Sequence, residues 1–218
     1  MKSTNTGRVA TKVAEILFEA GCIIFRPTQP FKFDSGIASP VYVDNRLLIS
    51  LPKQRNLILG FLIAEINKIG KPEVVAAVAT AGITHAAWIA QKLNIPMVYV
   101  RPKPKDHGRK NQVEGLLKRD QRVLVVEDMV STAGSSINVI NALRKSGAIV
   151  TDEIAIYTHQ MKESEKNFRK AKVKFRALTN LQKVAEVAQK KGFLRSGQIN
   201  VILDWAKDPK NWTPPSSS

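Results

Sequence analysis

Two adjacent carboxylates, Glu127 and Asp128, close an apolar run from Val123 to Val126 and precede a stretch rich in hydroxyls and small residues, Ser131, Thr132, Ala133, Gly134, Ser135 and Ser136. A buried run that ends in two acids is costly unless something binds them. The residues that follow open onto a helix-like pattern, Ile137, Ile140 and Leu143. Free backbone N–H groups at that helix start, with the hydroxyls of Ser131, Thr132 and Ser135, make a cradle for a phosphate. Carboxylates and a phosphate cradle would repel if they served one group. They suit a ligand that carries both hydroxyls and a phosphate, as a phosphorylated sugar does. No Walker loop and no dinucleotide-binding glycine fingerprint occurs.

Such a site needs a scaffold, and the apolar runs describe one. Val74 to Val78, Met97 to Val100, Val123 to Val126 and Thr151 to Tyr157 read as short strands without alternation, which suits parallel strands covered on both faces. Helices fall between them: one after Pro52 lined by Leu57, Ile58, Phe61, Leu62 and Ile66, one from Ile83 to Lys92, and one ending at Ser146-Gly147. This alternation predicts an α/β fold, a three-layer, mainly parallel twisted sheet flanked by helices. The first fifty residues differ, with a helix from about Val9 to Ala20 and extended pieces at Phe31–Phe33 and Val41–Val43. They read as a small N-terminal hood over the sheet. The expected organisation is a single domain over 1–213, about 1–50 hood and about 51–213 core, with 214–218 a disordered tail. Three loops leave the carboxyl ends of the strands, where ligands bind in such sheets: Ala79–Gly82, Arg101–Gly115 and Glu127–Ser135.

The chain has 218 residues, 44% hydrophobic and 24% charged, enough for a substantial core. Thirty-four Lys and Arg against 18 Asp and Glu leave a net charge of +16, which points to anionic partners. Lys162 to Arg176 alone holds seven cations against two acids, more than a small ligand requires. One cysteine, Cys22, excludes an internal disulfide and a multi-cysteine metal site and suits a reducing cytoplasm. The longest charge-free stretch, Val74 to Gln91, is broken by Thr80, Gly82, Thr84 and His85 and does not read as a membrane span. The first ten residues lack the apolar core of a signal peptide.

The 123–136 string resembles the ribose-phosphate-binding signature of the type I phosphoribosyltransferases, with Ala133 where a second Gly is common. The resemblance implies phosphoribosyl diphosphate (PRPP) as ligand. Glu127 and Asp128 would meet the ribose hydroxyls, and Met129, Val130, Ser131, Thr132, Ala133, Gly134 and Ser135 would surround the 5-phosphate. It also implies Mg²⁺, bound through PRPP and water with no direct protein ligand.

Two further segments narrow the family. Residues 101–115 carry five cations, two acids, two prolines and two glycines, too polar for a core element and long enough for a mobile loop. Their order resembles the catalytic loop of the orotate phosphoribosyltransferases, with Arg101, Lys105 and His107 at the diphosphate-binding positions and Pro102 where some members have Lys. Phe31 to Arg46 is similar to the segment that covers the pyrimidine base in that family, and Ala79 to Ala86 to its second loop. The resemblance implies transfer of ribose 5-phosphate from PRPP to orotate in pyrimidine biosynthesis. Lys105, Asp128 and Glu127 would be catalytic; orotate would meet Ser131, Ser35, Gly36 and Arg46, although Arg46 is equally readable as a salt-bridge partner. It further implies a homodimer in which loop 101–115 acts on the neighbouring subunit's site, with no membrane or nucleic-acid partner. The rival readings are a purine phosphoribosyltransferase and a PRPP-binding regulator of nucleic acid. No residues particular to the family are visible beyond Thr158.

Overall fold

The computed structural model describes residues 3–32, 38–102 and 112–215, with side chains from residue 7 onward. In chain order the elements are α1 (Ser3–Glu19), β1 (Ile23–Phe25), β2 (Phe31–Lys32), β3 (Ala38–Ser39), β4 (Val41–Val43), a 3₁₀ helix (Asn45–Ser50), α2 (Pro52–Ile69), β5 (Val74–Val78), α3 (Gly82–Leu93), β6 (Met97–Val100), β7 (Val113–Glu114), β8 (Arg122–Val130), α4 (Gly134–Lys145), β9 (Ile149–Thr158), α5 (Lys162–Ala171), β10 (Lys174–Asn180), α6 (Leu181–Lys190) and α7 (Ser196–Lys207). Six strands form one sheet in the order β10-β9-β8-β5-β6-β7, parallel except for β7.

The apolar runs are buried on both sides, as the absence of alternation requires. In β5, Val75 and Ala77 face a cluster with α1, α2, α3, α6 and α7, while Val74, Ala76 and Val78 face a second cluster with α4 and α5. In β8, Leu124 and Val126 join the first and Val123 and Val125 the second. Period-two alternation within continuous apolar sequence is what a strand between two helical layers needs. Among the described residues no helix is long and apolar enough to cross a membrane.

Strands β5 and β6 have the bounds expected from sequence. β8 does not: it runs on through Val130, so the two acids lie within the strand and not after it. The reason is its neighbour. β9 reaches Thr158 and supplies ladder partners to the polar end of β8, pairing Glu127 with Ala155, Met129 with Tyr157 and Val130 with Thr158. Helix α1 is also longer than expected and packs against α6 and β10, with Val13, Ala14, Ile16 and Leu17 in the same cluster as Leu181 and Val184. That part of the first fifty residues is built into a core layer. The short pairs β1–β4 and β2–β3 stand outside the main sheet.

Candidate functional site

The acidic pair sits on the carboxyl-terminal half of β8. Glu127 is 7% exposed, and its Oε1 accepts the Asp128 backbone N–H at 3.0 Å. Burial first, and the neighbouring Asp128 charge second, push the Glu127 carboxyl well above the usual range; Asp128 is also raised, chiefly by burial. A desolvated pair of acids holds a proton more tightly than in water and gains from any cation or hydroxyl donor brought to it. Asn45, fully buried at the start of the 3₁₀ helix, donates its Nδ2 to the Asp128 carbonyl at 3.0 Å and ties β8 to the segment that follows β4.

Gly82 brings α3 against this strand. A Cβ on Gly82 would lie 2.7 Å from the Val126 carbonyl oxygen and 3.5 Å from Glu127 Oε1. Gly82→Ala is therefore expected to force α3 off β8, lowering stability by about 1–3 kcal/mol and lowering turnover by displacing Glu127. Thermal melts and steady-state rates on the one variant check both effects. The Ala79–Thr80 peptide just before this helix is cis. His85, one turn into α3, is 3% exposed and edge-on to Trp88 at 5.4 Å; burial lowers it to about 4, so it is a neutral packing residue.

After β8 the chain turns and α4 begins. Its N-cap is Ala133, at φ 67° and ψ 15°, with no side chain capping the helix. The left-handed conformation falls on Ala133 and not on Gly134, so the turn is made at an alanine at a cost of about 1–2 kcal/mol. The first backbone bond of the helix is Ile137 N–H to Ala133 C=O at 2.9 Å, which leaves the N–H groups of Gly134, Ser135 and Ser136 without a backbone acceptor among the described residues. By contrast, α6 is capped by the Asn180 side chain and the 3₁₀ helix by Asp44. Val130 and Ala133 pack their side chains into the α4–α5 cluster, so what they offer outward is backbone. Ser131 and Thr132 are half-buried; Gly134 and Ser135 are exposed.

The turn is held from behind. Asn167 of α5 donates to the Thr132 carbonyl at 2.9 Å, and His159 N–H to the Val130 carbonyl at 3.0 Å. A cavity of about 440 Å³ opens beside it, with Met129, Ser131 and Thr132 on one wall and His159, Met161 and Trp205 on the other. Tyr157 Oη lies 3.0 Å from His159 Nδ1, and Trp205 donates its Nε1 to the Ala38 carbonyl at 2.9 Å, joining α7 to β3. The sequence reading found nothing distinctive beyond Thr158, yet His159, Met161, Asn167 and Trp205 all support or line the site. Their part depends on long-range packing that no local spacing displays.

Arg101 stands at the end of β6, its Nη1 3.5 Å from Glu114 Oε1. The expected loop closes earlier than its sequence suggests: Val113–Glu114 returns as β7 beside β6, and Gln112 Nε2 donates to the Arg101 carbonyl at 2.6 Å. Arg46 spends one guanidinium edge on Asp44, donating from Nε at 2.7 Å and Nη2 at 2.8 Å. Lys105, His107, Ser35 and Gly36 lie outside the described residues.

The phosphoribosyl transferase domain family matches residues 53–188. The orotate phosphoribosyltransferase of Coxiella burnetii is 41% identical over 206 residues, 94% of this chain and 99% of that protein. The chain belongs to the orotate phosphoribosyltransferases. The crystal structure of the Aeropyrum pernix orotate phosphoribosyltransferase superposes with a TM-score of 0.72 at 29% identity, covering 84% of this chain and 99% of that one. The Mycobacterium tuberculosis orotate phosphoribosyltransferase, solved in complex with 5-phospho-α-D-ribosyl 1-diphosphate, shares the fold at a TM-score of 0.63 and 19% identity, over 81% of this chain and 99% of that one.

Proposed function

We propose that this orotate phosphoribosyltransferase moves ribose 5-phosphate from PRPP to orotate, giving orotidine 5′-monophosphate and diphosphate, at the carboxyl ends of β5, β6 and β8. The observation that carries the reading is the junction of β8 and α4. Glu127, buried, and Asp128, half-buried, lie on the strand that leads into a helix start whose N–H groups have no acceptor among the described residues. The ribose hydroxyls meet Glu127 and Asp128, and the 5-phosphate meets the N–H groups of residues 134–136 with the hydroxyls of Ser131, Thr132 and Ser135. As the C1–O bond to diphosphate breaks, positive charge grows on the ribose and negative charge on the leaving group. The acids stabilise the first and Arg101, Lys105 and His107 the second. Orotate lies in the cavity beside Ser131, with Ser35, Gly36 and Arg46 as its further partners; the Nη1 of Arg46, not used in the pair with Asp44, is the donor free for its carboxylate.

The site suits Mg²⁺. Burial raises both the Glu127 and the Asp128 carboxyl, so the pair gains from a cation brought near it, and their oxygens would accept from the waters of an Mg²⁺ carried by PRPP. When bound it would offset the diphosphate charge.

Three further properties belong to this reading. The chain works as a homodimer, with loop 101–115 reaching the neighbouring site. Leu47, Ile49 and Leu57, each more than 40% exposed around the 3₁₀ helix and α2, give a second copy apolar surface to cover. It acts in the cytoplasm, where the buried Cys22 thiol, pushed up to about 12 by burial, stays reduced.

The test is the loss of orotate's ultraviolet absorbance on mixing protein, orotate, PRPP and Mg²⁺. A decrease that needs all of them is expected. Turnover of a purine base in its place would overturn the base assignment and keep the fold. Lys105→Ala is expected to lower turnover by roughly 10–100-fold, the worth of a charge-assisted hydrogen bond, with an unchanged melting temperature. A variant as fast as wild type would remove the lysine from the mechanism.

A further inference from the structure

One buried carboxyl has no part in that chemistry. Glu153, on β9, has no exposed surface and pairs with Val125 of β8 and Phe175 of β10. Side chains alternate along a strand, and Ala155, two residues on, lies in the α4–α5 cluster with Val125. Glu153 therefore faces the underside of α4, on the same sheet face as Glu127. Its Oε1 accepts the Ser136 hydroxyl at 2.6 Å, and Ser136 is itself 2% exposed. Its Oε2 has no hydrogen-bond partner among the described residues.

An ionised carboxylate with one bare oxygen in a dry core is costly, and burial accordingly pushes the Glu153 carboxyl up to about 8. A valine at this place would fill the core without that penalty. What the carboxyl provides is a partner for Ser136, the third residue of α4. A serine there is free to hydrogen-bond back to the backbone at its own helix start, competing for the N–H groups that a bound anion needs. With its hydroxyl turned inward onto Glu153, the first turn of α4 is fixed to the sheet and its outward N–H groups stay free.

We propose that Glu153 is a positioning residue for PRPP: through Ser136 it sets the first turn of α4 in the geometry that receives the 5-phosphate. The proposal rests on the reading of residues 131–136 as the phosphate site. It predicts a loss of affinity for one substrate only, because the orotate wall of the cavity is built by other residues.

The experiment compares Glu153→Val, Glu153→Gln, Ser136→Ala and the Glu153→Val/Ser136→Ala double variant. Kinetics with both substrates are combined with direct calorimetric titration of PRPP. Glu153→Val and Ser136→Ala are each expected to raise the KM and the Kd for PRPP roughly five- to tenfold, with kcat and the KM for orotate within about twofold of wild type. The double variant is no worse than either single one, since the two residues act as a unit. Glu153→Gln keeps the hydrogen bond and stays close to wild type. The melting temperature of Glu153→Val rises, the opposite of what loss of a merely structural contact would do. Wild-type PRPP affinity in Glu153→Val, additive effects in the double variant, or failure of Glu153→Gln to hold affinity would each overturn the proposal. A wild-type chain inert with orotate, yet weakened in PRPP binding by Glu153→Val, would overturn the base assignment and leave this inference standing.

Discussion

Glu127→Gln and Asp128→Asn are each expected to slow turnover by about 10²–10³-fold, the usual worth of one preorganised electrostatic group, while Glu127→Gln makes the free protein more stable. The two effects have one cause. Glu127 sits where burial and the Asp128 charge disfavour its ionised form, so the site holds negative charge poorly until a ligand arrives to balance it. Growing positive charge on the ribose is such a balance, and it is greatest in the transition state. An amide of the same shape keeps the hydrogen bond geometry and loses that charge. For stability the sign runs the other way. Glu127 binds its proton more tightly folded than unfolded, so above the unfolded value near 4.5 the unfolded chain is favoured by ionisation. Removing the ionisable group removes this penalty, and the melting temperature should rise by about 2–4 °C for each kcal/mol recovered in a chain of this size. Steady-state rates and calorimetric melts at neutral pH test both. A variant that is slower and also less stable would mean that Glu127 is a structural residue.

The second large effect lies deeper in the same sheet. Glu153 moves from 4.5 to about 8 on folding. Below pH 4.5 both folded and unfolded chains carry it neutral, and it does not affect stability. Between 4.5 and about 8 the unfolded chain ionises it while the folded chain does not, so stability falls by about 1.4 kcal/mol per pH unit. At pH 7 this amounts to about 3 kcal/mol. The difference in unfolding free energy between Glu153→Gln and wild type should therefore grow by about that amount from pH 4.5 to 7 and level off above 8. Urea titrations of both proteins across this range measure it directly. A constant difference would show that Glu153 is already ionised in the fold. A loss of this size at a fully buried residue of β9, bonded to the first turn of α4, would fit a site in which stability is exchanged for geometry.

Much of this was legible in the sequence. The apolar runs of β5 and β6 carried their own bounds, since a strand covered on both faces has no polar residue until it leaves the sheet. The adjacency of Glu127 and Asp128 before a hydroxyl-rich turn picked out the junction of β8 and α4 at the carboxyl end of the sheet. The order of residues 101–115 and 31–46 marked the family.

The rest depended on neighbours far away in the chain. β8 continues through its polar end only because β9 lies alongside with matching hydrogen bonds. Ala133 takes the left-handed turn because β8 and α4 must be joined there, and its methyl packs into the core. The support that Asn167, His159 and Trp205 give to the turn and the cavity comes from elements more than twenty residues away. Glu153 reads in sequence as one more residue of a strand, next to Asp152, and only the layer of α4 above it buries it and pushes its carboxyl up to about 8. Residue type and spacing determined which chemical groups this protein has and in what order they follow one another along the strands and turns. The tertiary structure alone decided which of them are dry, because desolvation is set by what packs over a residue and not by what stands beside it in the chain.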